Sequence, residues 1–226
     1  MRSRPVQSAQ TGPHPDLPRL VRRRLAHDWL QPCHPGSLAE FHRFLGLWDA
    51  RRPLVLDSGC GTGWFTATLA ERHPDAQVIG VDRSAARLSR APRTMPPNAA
   101  LFRARLEDFW RLLLRNGIHP VWHALYYPNP WPKPSHLARR WHAHPVFPAL
   151  IRLGGRIEVR SNWRVYLQEF AWSAAMLGAV VQPVVECWPE PAQTPFERKY
   201  AASGHRLYRL LVSTQAALRM NHTIRN

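Results

Sequence analysis

Residues 53–82 read as one βαβ unit, and little else in the chain limits the fold as tightly. Pro53-Leu54-Val55-Leu56-Asp57 is an apolar run ending on an acid, and Ser58-Gly59-Cys60-Gly61-Thr62-Gly63 alternates glycines. Residues 64–72 have helical character, and Gln77-Val78-Ile79-Gly80-Val81-Asp82 closes on a second acid 25 positions after Asp57. Two buried parallel strands joined by a crossover helix need about this length. The glycines let the chain turn at the carboxyl end of the first strand and let its backbone approach a ligand closely. Taken alone, such a turn also fits a tight strand-to-helix corner with no ligand.

The spacing selects among ligands. Dinucleotide sites use G-x-G-x-x-G so that a pyrophosphate sits on the helix N-terminus. Here Gly59, Gly61 and Gly63 alternate strictly and Asp57 stands two residues before the first of them. A carboxylate at that place repels a pyrophosphate and can hold an ammonium, while Asp82 can accept both hydroxyls of an unphosphorylated ribose. S-adenosylmethionine, with an amino-acid tail, a sulfonium and no phosphate, fits both acids. The expected cofactor contacts are Asp57, Gly59, Gly61, Gly63 and Asp82.

Composition narrows the partner. With 31 Lys and Arg against 15 Asp and Glu, the 226-residue chain carries a formal charge of +16, which favours a polyanion, nucleic acid ahead of an anionic membrane. Only Lys133 and Lys199 are lysines; GC-rich coding would explain arginine in place of lysine, but not the scarcity of acids. Cys33, Cys60 and Cys187 are too few and too scattered for a disulfide framework, so a reducing, cytoplasmic setting is expected. Cys33-His34 and the pair His142 and His144 lack a second cluster at ligand spacing, so no metal is expected. No apolar run approaches the roughly 20 residues of a membrane span, and no secretory h-region is seen. Residues 1–24 are basic and proline-rich and read as a disordered arm; Arg22-Arg23-Arg24 does not separate an RNA-touching arm from a transit-like segment.

Past a helical stretch ending near Asp49, with Leu38, Phe41, Phe44, Leu45 and Trp48 at helical spacing, the pattern alternates. Strands are expected at 54–57, 77–81, 99–103, 120–126, 155–160, 180–187 and 205–212. Helices are expected at 64–72, 84–91, 107–115, 137–152 and 163–178, with loops at 127–135 and 188–203. This is the order of a doubly wound, Rossmann-like α/β fold: a mostly parallel seven-stranded sheet with helices on both faces. It forms one domain, 25–215, with a tail at 216–226 and a monomer or weak dimer expected.

Three further segments carry chemistry. Pro128-Asn129-Pro130-Trp131-Pro132-Lys133-Pro134-Ser135-His136-Leu137-Ala138-Arg139-Arg140 follows the fourth strand, where such sheets place their sites. Its prolines fix φ and present Asn129 and Trp131 rigidly. Ser161-Asn162-Trp163 follows the fifth strand, and Thr194-Pro195-Phe196-Glu197-Arg198-Lys199 stands near the C-terminus. On these motifs, in this order, the sequence over roughly 53–212 resembles the bacterial tRNA (guanine-N7)-methyltransferases. Members of that family carry P-D-P-W-x-K-x-R-H-x-K-R-R, T-D-W and T-x-F-E-x-[RK] at the corresponding places.

The resemblance implies a class I methyltransferase fold, S-adenosylmethionine as cofactor and tRNA or another RNA as partner. It implies that Asp57 and Asp82 touch the cofactor, that Lys133, Thr194, Phe196 and Glu197 form a guanosine pocket, and that Arg139 and Arg140 lie on the RNA path. Guanine N7 has an exposed lone pair, so transfer needs in-line positioning and no general base. Alone, the 194–199 segment also reads as a capped loop in which Glu197 pairs with Arg198 or Lys199.

Three positions depart from the family. Asn129, placed at the reacting centre, and Asn162, in the substrate pocket, stand for aspartates. Arg105 replaces an acid beside adenine, with Glu107 and Asp108 near enough to substitute. An amide offers one acceptor oxygen and turns an NH₂ toward the ligand where a carboxylate offers two acceptors. Asn129-Pro130-Trp131 is also similar to the N-P-P-[YFW] loop of methyltransferases of exocyclic or amide nitrogens. A third reading is a catalytically weakened RNA-binding paralogue.

Overall fold

The computed structural model describes residues 3–188 and 191–214; the tail at 216–226 lies outside them. In chain order the elements are α1 (Leu17–Ala26), α2 (Pro35–Leu47), β1 (Leu54–Ser58), α3 (Trp64–Arg72), β2 (Gln77–Val81), α4 (Ala85–Leu88), β3 (Ala99–Phe102) and α5 (Leu106–Arg115). They continue as β4 (Trp122–Tyr126), α6 (Phe147–Arg152), β5 (Arg156–Ser161), α7 (Arg164–Met176), β6 (Val180–Val181), β7 (Val185–Glu186), α8 (Pro195–Ala201) and β8 (Tyr208–Ser213).

The sheet runs β3-β2-β1-β4-β5-β8-β6, with β7 also on β8. The strands from β1 to β5 pair in parallel and β8 lies antiparallel to β5. β1 lies between β2 and β4, so the winding reverses there and a crevice opens beyond the carboxyl ends of β1 and β4. Successive strand residues face opposite layers. Leu54, Leu56, Ile79, Val81, Leu125 and Val159 join Phe41, Phe44, Phe109 and Trp110 on one side; Val55, Val78, Ala124 and Tyr126 join Phe65 and Leu69 on the other.

Three expectations are corrected. The strand expected at 180–187 is two short strands, making eight in all, because Pro183 between them has no N–H to give β8. The helix expected at 137–152 is a 3₁₀ turn (Pro134–Arg139), a second one (Trp141–Ala143) and then α6. Pro145 forces His144 into extended backbone (φ −74°, ψ 148°), which stops any continuous helix there. The arm expected to be disordered is packed: Leu17 and Val21, one turn apart on α1, are buried with Leu137 and Ala143. Ahead of α1 the Ser8 hydroxyl donates to the Pro132 carbonyl (2.6 Å). The Ser3 N–H donates to Ser203 Oγ (2.9 Å), and His205 Nε2 donates to the Ser3 carbonyl (3.1 Å).

Gly80, paired with Asp57 in the β1–β2 register, is where β2 passes under the glycine turn. A Cβ there would lie 2.7 Å from Leu101 Cδ2 and 3.0 Å from Cys60 Cβ, and would press on the Thr66 hydroxyl. Gly80→Ala is therefore expected to lower unfolding stability by about 1–3 kcal/mol, read from urea titration.

Candidate active site

The crevice at the switch point is a cleft of about 560 Å³. One wall carries Ser58, Gly59, Asp82, Leu106 and Glu107, and the other Tyr127, Pro128, Asn129, Trp131, Arg139 and Phe196.

The first wall is built by the β1–α3 turn. Gly59, Gly61 and Gly63 hold φ of 79°, 61° and 74°, a region closed to most side chains. The N–H groups of Gly59 and Cys60 both donate to the Val81 carbonyl (2.8 and 3.2 Å), which ties the turn to the end of β2. Asp82 accepts from Gly61 N–H (3.1 Å) and Ser84 N–H (2.8 Å) and pairs with Arg87 (3.2 Å). Its carboxylate thus shapes the turn and faces the cleft at once.

Asp57 stands behind this wall, not on it. It is fully buried and accepts the Thr66 hydroxyl (2.7 Å). Burial pushes its carboxyl up to about 7, against the Thr66 hydrogen bond and with the Asp82 charge adding to the rise. Of the two acids expected on the adenine side, only Glu107 reaches the cleft. Asp108 is turned inward, holding Arg111 (3.1 Å) and the His34 N–H (3.1 Å).

The second wall is a loop under strain. Tyr127 and Trp131 have φ of 50° and 46° without being glycine, a state costing on the order of 1–3 kcal/mol and sustained only where the surroundings enforce it. The enforcement is visible. Tyr127 N–H donates to the Arg160 carbonyl (2.8 Å) and its hydroxyl to Glu197 (3.1 Å). Asn129 Oδ1 accepts the Trp131 N–H (3.2 Å), and the Arg139 guanidinium lies 4.9 Å over the Trp131 ring.

Two buried ion networks grip the loop from behind. Arg160 joins Glu158 and Glu197 (2.7 Å each) and lies over the Tyr126 ring. Arg140, completely buried, donates to the carbonyls of Trp131 (3.2 Å) and Lys133 (3.3 Å), to Glu169 (2.6 Å) and to Gln10 Oε1 (3.0 Å). Glu169 in turn accepts from His142, from the Gln10 amide and from His14 N–H.

These contacts revise several expected roles. Glu197 is fully buried with both oxygens engaged, by Arg160 and Tyr127 on one and by the N–H groups of Gln193 and Thr194 on the other. It completes a capping box with Thr194 at the start of α8 and pairs with neither Arg198 nor Lys199. No oxygen is left for guanine, so Glu197 and Thr194 are struts that hold Phe196 on the wall. Arg140 is likewise internal and cannot meet an RNA surface. Asn162 gives its amide to His205 Nδ1 (3.1 Å) away from the cleft, and Lys133 is exposed outside it. Arg87, Tyr127, Trp141 and His144 on the walls, and Arg160 and Glu169 behind them, were not anticipated. Charges at 158 and 160, between apolar Ile157 and Val159 in the expected strand 155–160, were the available signal for a buried network. Among the described residues, no group of His, Cys, Asp and Glu is arranged to hold a metal ion, and no helix is long and apolar enough to cross a membrane.

Residues 51–210 match the model of a family described as "Putative methyltransferase". The chain belongs to that methyltransferase family. Among curated relatives, a tRNA (guanine-N(7)-)-methyltransferase of Rubrobacter xylanophilus is 26% identical over 219 residues, covering 84% of this chain and 97% of its own. One of Treponema pallidum is 29% identical over 168 residues, covering 71% and 67%. Among solved structures, an antibiotic-related methyltransferase aligns with TM-score 0.58 at 14% identity, over 78% of this chain and 93% of its own. The 16S rRNA methyltransferase KamB aligns with TM-score 0.55 at 19% identity, over 81% and 94%. The shared architecture is the class I methyltransferase fold.

Two measurements check this methyltransferase's site. Because the folded carboxyl of Asp57 titrates near 7 and the unfolded one near 3.8, the folded state holds the proton more tightly between those values. Its contribution to stability therefore falls as pH rises, by at most about 1.4 kcal/mol per unit, and levels off above about pH 7. Urea unfolding of wild type and Asp57→Asn at a series of pH values should show this slope in the wild type alone. Second, Gln10→Ala cuts the arm's side-chain bonds to Arg140 and Glu169. Amide hydrogen exchange at 127–133 should quicken while protection of β1 and β4 stays unchanged.

Proposed function

We propose that this methyltransferase transfers the methyl group of S-adenosylmethionine to N7 of a guanosine in tRNA. The cleft suits the cofactor. A Cβ built on Gly61 meets no protein atom within 4 Å, leaving open space above the turn, and Asp82 places a carboxylate where ribose hydroxyls can donate. Glu107 and Leu106 supply a polar and an apolar edge for the adenine side. When bound, the cofactor supplies an electrophilic methyl on a sulfonium.

The observation that carries the acceptor is the orientation of Asn129. Its oxygen accepts the Trp131 N–H, and on this cleft wall its NH₂ has no protein partner among the described residues. A donor there matches guanine, which presents O6 beside N7, and mismatches adenine, which presents an NH₂ beside N7. The same fact weighs against an exocyclic or amide nitrogen as acceptor, because those loops need the amide oxygen free to accept from the target NH₂. Aromatic faces at Tyr127, Trp131 and Phe196 can stack the base, and Arg139 at the rim can meet a phosphate. No residue has to take a proton: N7 attacks with a lone pair already exposed, and the positive charge spreads over the purine. What the chain supplies is alignment, through a loop fixed by two ion networks.

The relatives named as tRNA (guanine-N(7)-)-methyltransferases, matched over most of the chain, support tRNA as the substrate class, and the formal charge of +16 supports a polyanion. The three free cysteines suit a cytoplasmic setting. The test is incubation of unmodified tRNA with labelled cofactor, followed by nucleoside analysis. Label is expected in 7-methylguanosine. Asn129→Ala, which removes both the acceptor for the Trp131 N–H and the amide on the cleft wall, is expected to lower kcat/KM by about ten-fold or more. Label on another nitrogen, or none beside an active control enzyme, overturns the reading.

A further inference from the structure

A second concavity, about 190 Å³, lies between α5 and α6 beside the arm; its lining includes Arg24, Asp28, Trp29, Leu30, Arg115 and Arg152. Its cations are poorly matched. Arg111, at its floor, is spent internally, donating to the carbonyls of Trp29 (3.1 Å) and Gln31 (2.6 Å) and lying 4.4 Å over the Trp29 ring. The other three are only weakly held. Arg115 makes no ion pair or side-chain hydrogen bond among the described residues. Arg152 meets the lone acid of the lining, exposed Asp28, at 3.4 Å and donates to the Pro148 carbonyl (3.3 Å), and Arg24 reaches the Ala143 carbonyl at 3.4 Å. Leu30 on the rim is 80% exposed. Three cations converging on a partly apolar hollow with a single exposed acid repel one another until an anion joins them.

A row of aromatic rings lies between the hollow and the active-site cleft. Trp29 packs edge-on against His144 (5.0 Å between centroids), and His144 against Trp141 (5.7 Å); His144 and Trp141 both line the cleft. Burial, with Arg24 nearby, pushes His144 down to about 4, so at neutral pH it is an uncharged ring in this aromatic row. α5 begins on the cleft wall at Leu106 and ends at Arg115. At about 1.5 Å per residue this sets Arg115 some 13 Å along the helix from that wall, about two nucleotide steps.

We propose that this groove holds the sugar-phosphate chain flanking the methylated nucleotide, with Arg24, Arg115 and Arg152 on phosphates and Trp29 and Leu30 as a platform for an unstacked base. The inference rests on RNA being the substrate. A polyanionic strand is the occupant argued because the groove offers cations and aromatic surface and is joined to the cleft by an aromatic row, the combination that single-stranded nucleic acid uses.

The test compares wild type, Arg115→Ala/Arg152→Ala, and Arg72→Ala/Arg93→Ala, which removes the same charge outside the groove. Each is titrated with labelled tRNA and with a short single-stranded RNA between about 50 and 200 mM salt. Neither groove arginine is buried, so melting temperature is expected to hold. The groove variant is expected to lose about ten-fold in RNA affinity and to flatten its log–log salt slope by about 1–2, since each lost phosphate contact removes roughly 0.7–0.9. Its Kd for S-adenosylhomocysteine should stay at the wild-type value. Equal losses in the two double variants, or none in the groove variant, overturn the groove while leaving the substrate class intact. A wild type that binds neither RNA overturns the substrate reading and the groove with it. Binding of an acidic peptide in preference to RNA also overturns it.

Discussion

The Arg140–Glu169 pair is the contact on which the working side of the molecule depends. Both groups are completely buried at 2.6 Å, and breaking such a pair by removing one partner costs about 3–5 kcal/mol because the other charge is stranded. Burial alone would raise the Glu169 carboxyl, yet His142 and Arg140 hold it down to about 2. Its contribution to stability is therefore present above the ordinary carboxylate range and fades only as pH falls toward 2. What that pair secures is a geometry, since three segments distant in sequence meet on it: the arm through Gln10 and His14, the loop through the Trp131 and Lys133 carbonyls, and α7 through Glu169 itself.

The Arg160 network does the same work from beneath. β5 is paired to β4 on one side and β8 on the other, so Arg160 is as fixed as any group in the sheet. From there it holds Glu197, and with it α8 and Phe196, while Glu197 holds the Tyr127 hydroxyl. Rigid sheet, buried charge and strained loop thus form one chain of causes. Two left-handed non-glycine residues persist beside the acceptor position because their neighbours leave them no alternative.

The fold was legible because its signals are local and periodic. The glycine turn, the two acids and the alternation of apolar runs with helical segments each follow from a few adjacent residues. Asp82, Glu107, Asn129, Arg139 and Phe196 all line the cleft. The rest required distances that no motif contains. Glu197 and Arg140 sit in segments that the resemblance assigns to substrate, yet their polar atoms are consumed by partners 37 and 29 residues away. Asp57 and Asp108 carry the right chemistry one layer too deep. The arm failed as a compositional argument: its prolines and arginines suggest disorder, while Leu17 and Val21, one turn apart, dock it together with hydrogen bonds from Ser8, Gln10 and His14.

The arm's hydrogen bonds to Ser203 and His205 span some 200 residues. Contacts this distant in sequence form late, since the whole intervening chain must first be organised. The cofactor turn closes within one βαβ unit, whereas the clasp on the acceptor loop spans 124 residues at Ser8 and 159 at Gln10, so the half of the cleft that holds the cofactor is organised before the half that presents the acceptor.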